Sequence, residues 1–81
     1  MFDFYYTFRS LTTAQQAVLT LLQFSIQADL VRTPGRFTQM GCGYAVRINE
    51  DNAYQAGLLL RQHGIAYERG IRLNQWTGDR I

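Results

Sequence analysis

The chain has 81 residues, 47% apolar and 17% charged, with a formal charge of +2 from eight basic and six acidic side chains. Those proportions describe one small globular domain and exclude a disordered chain. One cysteine and one histidine exclude an internal disulfide framework and a self-contained structural zinc site. All eight basic residues are arginine, an excess mild enough to favour a solvated arginine surface over a nucleic-acid patch. No apolar run reaches membrane-spanning length, and the N-terminal MFDFYYTFRS lacks the basic and apolar regions of a secretory signal. A reducing, cytoplasmic setting is therefore expected.

In chain order, Phe2, Phe4, Tyr6 and Phe8 alternate with Asp3, Tyr5, Thr7 and Arg9, predicting a first strand with one core face. Ala14, Ala17, Val18, Leu21 and Leu22 then follow helical spacing, with Thr12 and Gln15 as a capping-box pair. Gln27 to Thr33 predicts a second strand, stopped by Pro34-Gly35. Tyr44, Val46 and Ile48 alternate with Ala45 and Arg47 as a third. Asn49 and Asp51 read as caps of a second helix carrying Ala53, Ala56, Leu59 and Leu60 and stopped by Gly64. Within it, Gly57 either weakens the helix or lets another backbone come close. Tyr67 to Leu73 predicts a fourth strand, so the domain is expected to span 1–73, followed by a polar tail, 74–81, bearing Trp76.

The halves repeat at an offset of 39: Tyr5 with Tyr44, Ala14 with Ala53, Ala17 with Ala56, Leu21 with Leu60, Ile26 with Ile65. Two such strand–helix–strand units predict an α+β, ferredoxin-like βαββαβ sandwich: a four-stranded antiparallel sheet with two helices on one face.

The single thiol lies in MGCGYAVRI, where Gly41 and Gly43 strip side-chain cover from Cys42 at the entry to the third strand. In the expected topology this loop shares a sheet end with the start of the first helix, whose N-terminal field, with Arg9, Arg36 or Arg47, would stabilise a thiolate. The alternative is a small apolar filler at a strand start, and the residues alone favour that reading.

The order of a strand ending in Phe8, a Ser/Thr-rich helix start, a Pro34 loop with Arg36, and Cys42-Gly43 followed by Ala45 and Arg47 resembles the small domains described as putative selenium/sulfur carrier protein-like. The likeness covers about residues 4 to 73. It implies a bacterial cytosolic carrier in which Cys42 accepts sulfur or selenium as a persulfide or selenosulfide. Implied partners are donor and acceptor proteins, including a donor like a cysteine desulfurase. Such a carrier needs no cofactor and no metal. Arg36 and Arg47 would support the anion, and Gly41 and Gly43 would permit close approach. The chain departs from the family pattern in Gly35 and in Phe-Thr-Gln-Met-Gly before the cysteine, where a shorter serine-rich segment is expected.

Three other readings compete. An RNA-recognition module would need a basic residue at Met40 and an aromatic one at Cys42, and only Tyr5, Arg47 and Arg72 offer a stacking face. A stand-alone enzyme is disfavoured because His63 is expected at the opposite end of the sheet from Cys42, and the adjacent Glu50 and Asp51 read as capping charges rather than a carboxylate pair. A non-catalytic interaction or regulatory module could pair two subunits through an uncovered sheet face bearing Tyr5, Thr7 and Ala45, with Trp76.

Overall fold

The computed structural model describes residues 2–33 and 43–74. Arg36, Gly41, Cys42 and Trp76 lie outside the described residues. The order is β1 (Phe2–Phe8), α1 (Leu11–Gln23), β2 (Ala28–Arg32), β3 (Tyr44–Asn49), a 3-10 turn (Glu50–Asn52), α2 (Ala53–Gln62) and β4 (Arg69–Asn74). The strands lie in the order β2-β3-β1-β4, every neighbouring pair antiparallel. This is the expected α+β sandwich, with β2 slightly shorter than predicted and β4 starting two residues later.

Alternation along the central strands builds the core. Phe4, Tyr6 and Phe8 of β1 stand opposite Ile48, Val46 and Tyr44 of β3. Together with Ala28 and Leu30 they meet Ala14, Ala17 and Leu21 of α1 and Ala56, Leu59 and Leu60 of α2 in one cluster. Both helices thus cover a single sheet face, and their small residues let them lie close to it.

The other face differs from expectation. Tyr5, Thr7 and Ala45 are each 0% exposed, and Tyr5, Val31, Ala45 and Ile71 form a second buried cluster. An uncovered sheet face built from Tyr5, Thr7 and Ala45 is therefore not available for pairing subunits. Nor do Tyr5, Arg47 and Arg72 form one stacking surface. Arg72 pairs in register with Phe4, on the helix side, and is ion-paired with Glu50. The period-two pattern identified which residues face the helices but carried no information about cover on the reverse side.

Helix ends also depart in detail. The N-cap of α1 is Ser10, not Thr12: its backbone is extended, and its Oγ accepts from the Thr13 N–H at 3.1 Å. β1 ends at Phe8 and leaves only two residues for the turn, which places Thr12 inside the first helical turn. Asn49 caps the 3-10 turn through Asp51 N–H at 2.8 Å, and α2 starts only at Ala53.

At the C-terminal ends the internal repeat is faithful. Ser25 and Gly64, one repeat apart, both take positive φ, 62° and 70°. Ile26 N–H reaches Leu21 C=O and Ile65 N–H reaches Leu60 C=O, each at 2.9 Å, with Ser25 and Gly64 N–H groups bonding Leu22 and Arg61. Both helices close with the same two-bond motif, which satisfies carbonyls the helix leaves open. The strand match fails, because Tyr5 faces away from the helices and Tyr44 joins the helix-side cluster.

Gly57 is required by a side chain rather than a backbone. A Cβ there would lie 2.5 Å from the Tyr6 hydroxyl. That hydroxyl donates to Ala53 C=O at 2.7 Å, and its ring packs 4.4 Å from that of Tyr67. Burial, followed by the neighbouring Tyr67, pushes the Tyr6 phenol above its usual value.

Two substitutions test these features by chemical denaturation. Gly57→Ala should destabilise by about 1–2 kcal/mol, overpacking outweighing the gain in helix propensity, and Tyr6→Phe in the same chain should return part of that loss by removing the hydroxyl. Ser25→Gly should stabilise by about 0.5–1 kcal/mol, because glycine carries no penalty in the left-handed region.

Candidate functional site

The pairing of Phe8 with Tyr44 and of Arg32 with Tyr44 brings the end of β1, the end of β2 and the start of β3 to one sheet edge. Gly43 stands just before β3, and the Thr33 N–H donates to its carbonyl at 3.3 Å, adding one rung beyond the strands. Cys42, the residue that precedes Gly43 in the sequence, lies outside the described residues.

Gly43 has open surroundings. Among the described residues, a Cβ built on it would meet nothing within 4 Å, and Gly43 is not one of those with positive φ. Neither crowding nor backbone strain demands glycine there. Beside it, Thr33 is 5% exposed, and its Oγ1 is buried without a hydrogen-bond partner among the described residues. An unsatisfied hydroxyl of this kind commonly costs about 1–3 kcal/mol.

Three described arginines stand at the same edge against one carboxylate, Glu68. α1 starts three residues past Phe8, bringing the partial positive charge of its N-terminus to this side. Arg9 leaves β1 here and pairs with Glu68 at 2.5 Å. Arg32 ends β2, and Arg69 begins β4 opposite Thr7. The carboxylates of Asp3, Glu50 and Asp51 belong to the opposite end, where β1 begins and β3 finishes.

Arg47 is placed elsewhere. It lies four residues along β3 from Gly43, about 13 Å at strand rise, in the transverse row Asp29, Arg47, Tyr5, Ile71. Its guanidinium donates to Asp29 at 2.8 Å. That hydrogen bond, offset in part by burial, holds its pKa above the usual arginine value. Burial, reinforced by Asp3, raises the Tyr5 phenol, while Arg47 opposes the shift. Of the residues singled out in the sequence, the structure puts Gly43 at the sheet edge and Arg47 in mid-sheet; Arg36, Gly41 and Cys42 lie outside the described residues.

His63 is the C-cap of α2, and its ring lies 5.5 Å from that of Phe24, the C-cap of α1. The thirteen residues of α1 rise about 20 Å, which sets His63 at the far end of that helix from Ser10 and the Gly43 edge. Among the described residues, no three His, Cys, Asp or Glu side chains converge on a metal-sized site.

The family described as "Putative Se/S carrier protein-like" matches residues 3–71. The chain belongs to this family. The match runs from β1 into β4 and takes in both strand–helix–strand units of this Se/S carrier-like domain, together with the Cys42-Gly43 dipeptide. No curated protein and no solved structure matches the chain.

Sequence reasoning missed Thr33, whose N–H reaches Gly43, and Arg32, which pairs with the adjoining Tyr44. Thr33 reads as the last residue before a proline, and nothing local reveals that it pairs with Gly43. Because Gly43 is free of both crowding and strain, Gly43→Ala should leave stability unchanged or raise it by up to about 1 kcal/mol through reduced unfolded-state entropy. Thermal and urea unfolding of the two chains would check this.

Proposed function

We propose that this domain is a sulfur or selenium carrier, with Cys42 as the acceptor thiol. The observation that carries the reading is the family match across residues 3–71, which embraces the Cys42-Gly43 dipeptide at the entry to β3. The uncrowded Gly43 beside the thiol supports it, since a visiting sulfur must approach within bonding distance. The positive character of this sheet edge supports it too. A thiolate at this edge would be favoured by the α1 N-terminus and by the strand-end arginines.

The transfer chemistry is balanced without an external oxidant. The Cys42 thiolate attacks the outer sulfur of a donor persulfide, R–S–SH. A bond forms between Cys42 Sγ and that sulfur, the donor S–S bond breaks, and its electron pair leaves on the donor as a thiolate. Cys42 then carries a persulfide. An acceptor nucleophile attacks the terminal sulfur in turn, and the leaving thiolate regenerates Cys42. A donor selenosulfide follows the same course and leaves Cys42 bearing selenium. The protein acts stoichiometrically, as a carrier rather than an enzyme, and relies on partners for donation and acceptance. A reducing, cytoplasmic compartment would keep the Cys42 thiol free between transfers and make the persulfide a transient species.

This reading is better supported than RNA recognition by the sheet, because Tyr5 is fully buried and Arg47 is committed to Asp29. Stacking platforms need exposed rings.

Incubation with a cysteine desulfurase and free cysteine, followed by intact-mass measurement, tests the assignment. The wild-type chain should gain the mass of one sulfur atom, reversed by a thiol reductant, and Cys42→Ser should gain nothing. An unmodified wild-type chain, or equal gain by the serine variant, would overturn it.

A further inference from the structure

One side of the domain combines features that no other described surface shares. Helix α1, LTTAQQAVLTLLQ, carries no charged side chain over thirteen residues. Gln15, Val18, Leu19 and Leu22 follow one another at helical spacing and form a stripe. Leu19 is 64% exposed and Leu22 45%, large values for leucine on a domain this small. With Leu30 of β2, the residues Gln15, Val18 and Leu19 line a groove of about 270 Å³. The strand bordering that groove, β2, is an outer strand of the sheet, so among the described residues one row of its backbone N–H and C=O groups has no neighbouring strand.

The two sheet edges are unlike. β4 presents Arg69, Gly70 and Arg72, a composition that discourages strand addition. β2 reads Ala28-Asp29-Leu30-Val31-Arg32, and its single carboxylate is drawn inward to Arg47. Neither proline nor lysine interrupts it.

We propose that the α1–β2 side is the contact surface for a second copy of this chain, the two sheets joining edge to edge through β2. Identical strands that pair antiparallel generate a two-fold axis by themselves. With the axis at Leu30, each Leu30 faces its counterpart, Ala28 faces Arg32, and Asp29 faces Val31. No like charges stand opposite one another. The choice of a copy over a different protein rests on charge. A two-fold contact sets every surface against itself, which penalises a charged face and leaves an uncharged one such as α1 unopposed. Strands about 4.8 Å apart at the seam bring the flanking α1 helices toward the 8–10 Å at which helices pack, so Leu19 and Leu22 of both copies close the groove. Because the paired β2 strands run in opposite directions, the two Gly43 edges point opposite ways, and each remains open to its own partner.

Sedimentation equilibrium of the full 81-residue chain is the test. The wild-type chain should have dimeric mass and a melting temperature that rises with protein concentration, and Leu19→Glu and Leu19→Arg should each be monomeric with unchanged circular dichroism and a melting temperature independent of concentration, since the side chain is exposed in the single chain. Mixing the two variants in equal amounts should restore the dimer, because opposite charges then meet across the axis. A wild-type chain that stays monomeric up to about 1 mM, or single variants that remain dimeric, would overturn the proposal.

Discussion

The antiparallel register of β1 against β3 is the constraint from which the rest of the domain follows. Phe4, Tyr6 and Phe8 are set opposite Ile48, Val46 and Tyr44, and those six side chains point under the helices. A slip of one residue would send them to the other face and bring Tyr5, Thr7, Ala45 and Arg47 beneath α1 and α2. Tyr6 reinforces the correct choice: its hydroxyl bonds Ala53 at the start of α2, and the ring occupies the space left by Gly57. Once Phe8 meets Tyr44, the remaining geometry is fixed. α1 must start within three residues of Phe8, β3 must enter beside that start, and Gly43 must stand at the shared edge.

That edge concentrates positive charge, while the opposite end of the sheet holds most of the described carboxylates. The segregation arises from connectivity. Arg9 follows β1, Arg32 ends β2 and Arg69 begins β4, with Glu68 just before it paired to Arg9, whereas the turn into α2 carries Glu50 and Asp51. Arg47 takes no part in the positive edge. It joins β3 to β2 through Asp29 and sits against the buried Tyr5, a tie across the reverse face of the sheet. In the proposed carrier, anion support for the thiol would therefore come from the helix start and the strand-end arginines rather than from Arg47.

Tyr5, Thr7, Val31, Ala45 and Ile71 are buried on the face away from the helices, which points to the sheet ends, the strand edges and the helices as surfaces for interaction. There the domain divides its work. The Gly43 edge is positive and sterically open, suited to a transient encounter with a sulfur donor or acceptor. The α1–β2 side is apolar and uncharged, suited to a lasting contact between copies. Their separation lets a dimer form without obstructing transfer.

Much of this was legible in the sequence because it is written in local periodicity. The alternation of Phe4, Tyr6 and Phe8, the spacing of Ala14, Ala17 and Leu21, and the repeat linking Leu21-Ile26 with Leu60-Ile65 each encode which face is apolar, and apolar faces must meet. Those signals led to the strand–helix order and the antiparallel sheet; the family came from a resemblance carried by the order of Phe8, the Pro34 loop with Arg36, and Cys42-Gly43. The sequence also marked Cys42-Gly43, since a lone thiol beside glycine is visible without coordinates. Tertiary structure alone decided the cap at Ser10, because the choice among Ser10, Thr12 and Thr13 depends on where β1 stops pairing. It decided that Arg47 bonds Asp29, residues eighteen apart that meet only through strand register. It decided the burial of Tyr5 and Ala45 and the pairing of Thr33 with Gly43, for the same physical reason: a side chain's partners across a sheet are set by distant strands, and no local pattern records them.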